Sequence, residues 1–428
     1  MKRIILFLLI LSGLSIAAFA GGSAEESSAE DGPVTVTIGY NRFLESSFGS
    51  GPAPIEVIRE EVAARYPDIT VELNIMPDTT SGMRDAIAVW MNAEESTVDI
   101  YGIDTPWVPE FGRAGWAVPL NDRVPGLREN FNESGLDTFS YEGDILGVPF
   151  WGSISGLYYR TDLLEEYGFE APETYDDMLR IADTITADRS DLTAFTWPGA
   201  KEEGLVMVFS DFLHGFGGSY RDGAGDYAFD SDEAVEALSF MKRLIDEGYS
   251  PQETTAWRGE ESQRRFVEGD AIFTWHNSDL VIWLDDPERS NISGNWNFTM
   301  TPAQPEGRPV GVAGGFAFGI NPHSDTPEAA ARVMEVIASE EVQRGFALAW
   351  GPVQYYEGLY EQEDVLEANP NADRITDVLD GAISRPPSTS YTELSSILQE
   401  EIHTALTGGK SPREALEDAQ SRIDRLRE

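Results

Sequence analysis

The chain contains no cysteine and only four histidines, and both shortages exclude whole classes of chemistry. Without cysteine there can be no disulfide, zinc ribbon, iron–sulfur cluster, cysteine nucleophile or lipid on an N-terminal cysteine. The histidines form none of the H-x-x-x-H or H-E-x-x-H spacings that bind zinc, since they lie far apart, at His214, His276, His323 and His403. No glycine-rich phosphate-binding motif follows a predicted strand. We therefore expect no metal and no cofactor.

Positive charge is also scarce. The 428 residues include 30 basic and 75 acidic side chains, which gives a formal net charge of -45. Such a surface repels the phosphates of nucleic acids and anionic lipids, so neither is an expected partner. A chain of this length exceeds what one hydrophobic core usually supports, and two lobes are expected.

The first twenty residues have the pattern of a secretory leader. Lys2 and Arg3 are followed by the apolar stretch Ile4–Leu11 and by the small-residue segment Ala18–Ala20. The apolar stretch is too short to span a bilayer as a helix. We expect residues 1–20 to be a cleaved signal peptide and residues 21–33, which are small and acidic, to be a disordered spacer. With no cysteine to carry a lipid, we expect a soluble periplasmic protein.

Beyond the spacer, the chain alternates between strand and helix patterns. Period-two alternation predicts strands at Val34–Tyr40 and Ile69–Ile75, and helical spacing predicts Pro54–Arg65 and Ser81–Asn92 as helices. A short buried strand is predicted at Val98–Gly102. This succession predicts an α/β lobe.

Helical patterns dominate after residue 160. Two capping sequences, at Thr174–Asp177 and Ser411–Glu414, each predict a helix start. A pair of strands is expected at 270–275 and 296–300, and a further strand is expected at 314–320. Other helices are expected at 203–215, 232–247, 262–268 and 278–285.

One run of the sequence, Gly147–Gly168, combines a short apolar strand pattern at Gly156–Arg160 with a helical stretch that begins at Asp162 and stops at Gly168. It contains Pro149, Phe150 and Trp151, then Tyr158-Tyr159-Arg160-Thr161-Asp162-Leu163-Leu164. This run resembles the G-x-P…Y-Y-x-x-D-L block of the extracellular solute-binding proteins, family 1, of ABC sugar importers. Within that family the chain is most similar to the trehalose/maltose-binding proteins, and the likeness extends over nearly the whole chain after the leader.

The resemblance implies a two-lobe periplasmic binding protein fold, α/β and type II-like, with discontinuous lobes joined by hinge crossovers. We expect the N-terminal lobe to comprise residues 34–147 and 313–352. The C-terminal lobe should comprise residues 148–312 and 353–428. The resemblance implies three crossings between the lobes, near Gly147–Phe150, Val310–Gly315 and Trp350–Leu359. Glycine and proline concentrate there, as hinge backbones often require.

A sugar site needs planar polar side chains for hydroxyls and aromatic rings for C–H faces. Asp104 follows a predicted strand, where open α/β sheets place ligands, and it matches a ligand-binding aspartate of the family. Glu45 matches an acidic sugar contact loosely. Arg385 lies in a segment similar to the family's R-P…Y segment, and Trp197 and Glu203 lie in one similar to W-x-G-x-x-x-E-G.

Each of these residues also has a purely structural interpretation. Asp104 could cap the helix that begins after it, and Glu45 could be a solvated loop residue. Trp197 could belong to the hydrophobic core, and Arg385 could lie on the surface. The sequence leaves these alternatives open.

Three cleft positions differ from the trehalose/maltose-binding proteins. Ser153 stands where those proteins have an aspartate. Asn277 replaces a cleft tryptophan, although Trp275 is close by, and Phe316 replaces the tryptophan of a G-G-W segment. The resemblance therefore implies the architecture but not the identity of the sugar. The full candidate ligand-binding set is Glu45, Asp104, Trp107, Trp151, Ser153, Trp197, Glu203, Trp275, Asn277, Gly315, Phe316 and Arg385.

The resemblance implies a monomeric, non-enzymatic protein. It would bind a carbohydrate, such as a di- or oligosaccharide, by lobe closure and deliver it to an inner-membrane ABC permease with a cytoplasmic ATPase. A secreted glycoside hydrolase, or a ligand-binding subunit of a chemosensory system, is the alternative. From the sequence we expect Asp104→Ala to weaken sugar binding at least about tenfold with little loss of thermal stability.

Overall fold

The structure is a computed structural model that describes residues 32–351, 353–376, 381–386 and 388–426. The predicted leader, and all of the predicted spacer except its last two residues, lie outside the described residues. In the described ranges, no helix combines the length and the apolar character needed to cross a membrane.

The strands of the described residues form one mixed nine-stranded sheet and one separate hairpin. The sheet order is β2-β1-β3-β10-β6-β8-β7, with β11 paired to β10 and β9 paired to β6. The strand bounds are β1 Val34–Tyr40, β2 Ile69–Ile75, β3 Ile100–Asp104, β4 Ser140–Tyr141, β5 Asp144–Ile145, β6 Val148–Arg160, β7 Thr193–Thr196, β8 Ala271–Asn277, β9 Trp296–Thr299, β10 Gly311–Ile320 and β11 Ala382–Ser384.

Helices cover the sheet and build most of the second half of the chain. The α-helices are α1 Pro54–Arg65, α2 Thr80–Asn92, α3 Val108–Ala114, α4 Leu127–Asn130, α5 Glu133–Thr138, α6 Thr161–Tyr167, α7 Tyr175–Asp188, α8 Glu203–Gly215, α9 Asp232–Asp246, α10 Gly259–Val267, α11 Val281–Asp285, α12 Pro327–Ile337, α13 Glu340–Trp350, α14 Glu363–Ala368, α15 Ala372–Thr376, α16 Tyr391–Leu406 and α17 Pro412–Ile423. Short 3-10 helices occur at Arg42–Glu45, Thr105–Trp107, Gln252–Ala256, Ser278–Leu280 and Leu359–Glu361.

The predicted α/β class is confirmed, and β1, α1 and β2 have the predicted bounds. The local signals act as expected: the Ser411 side chain accepts a hydrogen bond from Glu414 N, and the Glu414 side chain accepts one from Ser411 N. Helix α6 ends at Gly168, whose φ of 73° is in the left-handed region that glycine adopts without strain.

Two strand predictions need correction. The segments predicted as a strand pair, β8 and β9, do not pair with each other, because both pair antiparallel with β6. Strand β6 is also longer than its apolar pattern suggested. It begins at Val148, since its first half pairs with β10 over Val148–Ile154. The pairing of β8 and β9 and the length of β6 therefore both depend on partner strands that are distant in the sequence.

Strands β6 and β10 each take part in two sets of strands. The first half of β6 pairs with β10, and its second half pairs with β8 and β9. Strand β10 pairs with β3 over Phe316–Ile320 and with β11 over Gly311–Ala313. These two strands therefore connect the part of the sheet around β1–β3 with the part around β7–β9.

The buried apolar side chains form separate cores on the two sides of this connection. The first core contains residues of the ranges 36–150 and 317–350, with Tyr391. The second contains residues of 157–275 and 383–423, together with Val310 and Val312, and the third lies mostly within 266–298. Along β6, Phe150 belongs to the first core and Leu157 to the second. Separate cores on either side of two shared strands give the chain two lobes.

Candidate ligand-binding site

Asp104 is the last residue of β3 and is almost fully buried, with 2% of its surface exposed. Its carboxylate makes no hydrogen bond that would cap the following helical turn, so the capping interpretation is wrong. Instead it accepts two hydrogen bonds from the guanidinium of Arg385, of which Nη1 to Oδ2 measures 3.1 Å. This two-point pairing fixes both side chains in a plane.

Arg385 also reaches a second predicted site residue. Its Nη1 donates to Oε1 of Glu203 at 3.1 Å, and its Nη2 donates to Oγ1 of Thr105 at 3.0 Å. Arg385 follows β11, whereas Glu203 is the first residue of α8. The structure thus brings together three predicted residues, Asp104, Glu203 and Arg385, from three distant segments. We call these three residues the ionic cluster.

Two residues that the sequence analysis missed hold Glu203 in place. The hydroxyl of Tyr391 donates to Oε1, and the hydroxyl of Ser395 donates to Oε2 at 2.5 Å. Both lie in α16, four positions apart, and therefore share one face of the helix. That spacing, just after the R-P segment, was a signal that could have identified them.

Burial and charge act against each other in the ionic cluster. Burial raises the pKa of Asp104 above its ordinary value, and the positive charge and hydrogen bonds of Arg385 reduce this rise without cancelling it. Burial would lower the pKa of Arg385, but attraction to Asp104 and Glu203 outweighs it and raises that pKa. Burial, and then the charge of Glu203, raise the pKa of Tyr391. Arg385 therefore stays charged and compensates the carboxylate of Asp104.

An aromatic pair lies beside the ionic cluster. Trp151 of β6 and Phe316 of β10 are register partners, with ring centroids 5.9 Å apart and planes at 32°. Both side chains are half-buried. On the same strands, a Cβ on Gly314 would lie 3.2 Å from Ser153 Oγ and 3.8 Å from Arg385 Nη2. One face of the β6–β10 pair therefore presents aromatic, hydroxyl and guanidinium groups together.

Gly315 and Asn277 lie next to this face. A Cβ on Gly315 would lie 2.6 Å from the carbonyl oxygen of Trp151 and 2.9 Å from the hydroxyl of Tyr355, so no side chain fits there. Asn277 ends β8 and pairs with Ser155 of β6. Within the part of the chain that the structure describes, its buried Oδ1 has no hydrogen-bond partner. A buried carbonyl oxygen without a donor is costly, so this atom would gain from a hydroxyl.

The structure keeps the remaining candidates outside this group, except that the ring of Trp107 packs edge-on against Phe316, with centroids 6.3 Å apart. Trp197 is fully buried in the second core, where its Nε1 donates to Ser250 Oγ at 2.9 Å. Trp275 belongs to the same core, and Trp107 packs in the first core, stacked on Phe111 at 5.7 Å. These three rings are core residues in this structure because surrounding apolar side chains cover them. Glu45 is exposed, in the 3-10 helix Arg42–Glu45.

A second buried carboxylate, Asp211, lies two turns after Glu203 in α8. It accepts hydrogen bonds from Ser155 Oγ of β6 at 2.8 Å and from Val312 N of β10 at 3.0 Å. It also accepts bonds from Trp275 Nε1 at 2.6 Å and Thr301 Oγ1 at 2.9 Å. Asp211 thus ties α8 to both strands that connect the lobes.

No positive side chain takes part in that bonding. Burial therefore raises the pKa of Asp211 from its ordinary value of 3.8 to about 7, although the hydrogen bonds from Trp275 and Ser155 work in the opposite direction. Sequence reasoning missed this role, because Asp211 lies inside the apolar run Leu205–Leu213. In the described ranges, no group of three or more His, Asp or Glu side chains is arranged to hold a metal ion.

Comparison with known proteins decides the family. The model of the bacterial extracellular solute-binding proteins matches residues 46–344, which is more than half of the chain. The chain belongs to this family. The resemblance seen in the sequence and the expected two-lobe binding-protein fold are both confirmed, so this is a solute-binding protein of the ABC transporter class.

Individual relatives agree with this assignment. A structure of maltose-bound MalE3 from T. maritima is 29% identical, with a TM-score of 0.82, covering 91% of this chain and 99% of that one. A solute-binding protein from Agrobacterium radiobacter in complex with ribitol is 22% identical, with a TM-score of 0.81, covering 91% and 98%. A probable ABC transporter-binding protein of Deinococcus radiodurans is 26% identical over 370 residues, 84% of this chain and 87% of the relative.

Proposed function

We propose that this solute-binding protein captures a di- or oligosaccharide between its lobes and delivers it to an inner-membrane ABC permease driven by a cytoplasmic ATPase. One observation carries the choice of ligand. The half-buried pair Trp151 and Phe316 lies on the same face as Ser153 and next to the guanidinium of Arg385. The maltose bound to the similar MalE3 supports this choice.

A sugar ring has weakly apolar C–H faces and a rim of hydroxyls. The Trp151–Phe316 pair offers an aromatic surface for a face, as aromatic side chains do in ligand pockets. Ser153 and the unpartnered Oδ1 of Asn277 offer polar groups for the rim. The ribitol-bound neighbour makes a polyol the natural comparison ligand, because a polyol has the hydroxyls without a ring face.

We propose that binding proceeds by lobe closure. The proposed lobes are residues 34–147 with 313–352, and residues 148–312 with 353–428. The separate cores on either side of β6 and β10 support this division. In the ionic cluster, Asp104 comes from the first lobe and Glu203 from the second, with Arg385 between them. A ligand that contacts both lobes shifts the population toward the closed form.

The cellular part of the proposal follows from the family. We propose that the protein acts as a periplasmic monomer, released from its leader, and that it binds sugar without cleaving it. In the ionic cluster, Glu203 accepts hydrogen bonds from Arg385, Tyr391 and Ser395. Because both of its oxygens already bond to protein groups, this carboxylate is not free to act as an acid or base.

A thermal-shift experiment with maltose, cellobiose, ribitol and mannitol tests the ligand class. Only a compound that prefers the folded protein raises the melting temperature, and it does so increasingly with concentration. We expect at least one disaccharide to raise it more than either polyol does. No shift with any sugar, or a larger shift with the polyols, would contradict the disaccharide assignment.

Two variants test the place of binding. Trp151→Ala should abolish most of the sugar-induced shift, because it removes one ring of the aromatic pair. Trp116→Ala is the matched control, since Trp116 is half-buried against the same core but lies away from the pair, beneath Arg84. Chromatography of the sugar after incubation separates the alternatives: intact sugar supports a carrier, and cleaved sugar supports a glycoside hydrolase.

A further inference from the structure

The loop around Phe48 is fixed to the first lobe by its backbone. Phe48 N and Gly49 N both donate to the carbonyl oxygen of Ala349 at 2.9 Å, and Trp350 Nε1 donates to Ser46 O at 2.9 Å. The ring of Phe48 packs against the first core. This loop therefore holds Phe48 in a definite position at the end of α13.

A matching group lies in the second lobe, on and just after α11. Trp283 packs against the third core. The guanidinium of Arg289 lies 5.2 Å from the centroid of the Trp283 ring, and its Nε forms an ion pair with Asp286 Oδ2 at 3.0 Å. Arg289 is therefore held from two sides, by a ring and by a carboxylate.

The two groups touch across the lobes. The rings of Phe48 and Trp283 have centroids 5.9 Å apart and planes at 34°. Arg289 Nη1 donates to the carbonyl oxygen of Phe48 at 3.2 Å. Beside them, a Cβ on Gly351 would lie 2.8 Å from Ile282 Cδ1 of α11. Ring contact, hydrogen bond and close packing thus occur together at one place, and none of them belongs to the ligand-binding face.

We propose that Phe48, Trp283 and Arg289 form an aromatic clasp that stabilises the closed arrangement of the lobes before any ligand is bound. The clasp rests on the lobe closure proposed above. Its residues act on ligand affinity through the closed population rather than through contact with ligand, so they are positioning residues. Opening the lobes would separate the two rings and remove the hydrogen bond from Arg289.

The absence of cysteine allows a direct test, because two introduced thiols would be the only ones to label. Val89→Cys on α2 and Glu236→Cys on α9 place fluorophores at exposed positions of the two lobes. Single-molecule energy transfer on the ligand-free protein then reports the open and closed populations. Arg289→Gln and Trp283→Leu should each raise the open-to-closed ratio about fivefold.

Arg243→Gln is the matched control. Arg243 also lies near a ring, that of Phe240 at 6.0 Å, and pairs with an acid, Glu247 at 2.9 Å, but both partners belong to its own helix region. It should leave the open-to-closed ratio unchanged. If Arg289→Gln and Trp283→Leu give the same distribution as Arg243→Gln, the clasp does not exist.

The dissociation rate of maltose is a second measurement on the same variants. A clasp predicts faster dissociation in Arg289→Gln than in Arg243→Gln, and equal rates would contradict its role in binding. The proposed ligand and the proposed clasp can therefore be contradicted independently of each other. Lack of maltose binding would count against the assigned ligand, whereas the ligand-free distributions decide the clasp alone.

Discussion

Two buried carboxylates lie near the strands that connect the lobes, and they differ in the kind of partner that donates hydrogen bonds to them. Asp104 faces the guanidinium of Arg385, whereas Asp211 faces only neutral donors from Ser155, Trp275, Thr301 and Val312. Both are almost completely buried. Burial raises the pKa of both carboxyls. At Asp104 the positive charge of Arg385 opposes that rise, whereas at Asp211 only neutral hydrogen bonds oppose it and the pKa reaches about 7.

This difference in partners suggests that the two carboxylates have different structural roles. The ionic cluster joins segments of both proposed lobes, so we expect its strength to depend on how closely those lobes approach each other. Asp211 links α8 to β6 and β10 and thereby stabilises the packing of this helix against both strands. Asp104 therefore has a charged partner at the place where the proposed lobes meet. Asp211 has neutral hydrogen-bond donors within one proposed lobe.

Removing the shared cation should have the largest effect. Arg385→Met leaves the buried Asp104 and the half-buried Glu203 without their positive partner, and it should lower the free energy of unfolding by about 3–5 kcal/mol. Denaturant titration measures this. Arg243→Met, at an exposed ion pair, is the control and should cost at most about 1 kcal/mol. Equal losses in both variants would show that the cluster adds no stability.

Removing Asp104 should cost less, because Glu203 still pairs with Arg385. The structure therefore revises the expectation drawn from the sequence: Asp104→Ala should lower stability by about 2 kcal/mol, since it leaves part of a buried guanidinium unpaired. Calorimetric unfolding checks this directly. A variant as stable as the parent would restore the original view of Asp104 as a ligand contact alone.

Replacing Asp211 by its amide isostere should have an effect of about 1–2 kcal/mol. Asp211→Asn can keep the oxygen that accepts from Ser155, Trp275 and Thr301, but it then turns an amide N–H₂ toward the donor Val312 N. Denaturant titration compares it with Asp183→Asn, whose carboxylate accepts only an exposed bond from Tyr249. A stability gain in Asp211→Asn would mean that burial of the charge outweighs all four bonds.

The pH dependence sharpens the same comparison. A carboxyl with a raised pKa in the folded state binds more protons when folded than when unfolded, between pH 3.8 and about 7. Stability from Asp211 is therefore fully present below about pH 4 and is lost as the pH rises toward 7, by on the order of 1 kcal/mol per pH unit. Unfolding curves between pH 5 and 7 should fall more steeply for the parent than for Asp211→Asn. Parallel curves would contradict the raised pKa.

The smallest effect is expected at the exposed candidate. Glu45→Gln should change the free energy of unfolding by less than about 0.5 kcal/mol, because its carboxylate is solvated. Because this substitution should leave the free energy of unfolding almost unchanged, any change in the thermal shift would report on sugar binding. A weaker thermal shift with maltose at unchanged stability would support the predicted sugar contact, and an unchanged shift would leave Glu45 a solvated loop residue.

Local patterns predicted much of the fold. The bounds of β1, α1 and β2 and the capping box at Ser411 follow from alternation, helical spacing and side-chain hydrogen bonding between near neighbours. Strand pairing was less accessible: β8 and β9 both pair with β6, and no local signal specifies a partner more than a hundred residues away. The same limit explains why the sequence left open whether Trp197 lies in the cleft or in the core, since burial depends on what packs around a residue.

The amino-acid sequence by itself determined the class of the protein: an α/β solute-binding protein, strongly acidic and without thiol chemistry. It also pointed to Asp104, Glu203 and Arg385. Only the tertiary structure decided that these three contact one another, that Asp211 is buried among neutral donors beside β6 and β10, and that Phe48 contacts Trp283 across the proposed lobes. The physical reason is that a residue type and its near neighbours set local conformation, whereas charge compensation and burial are set by side chains brought close from distant segments.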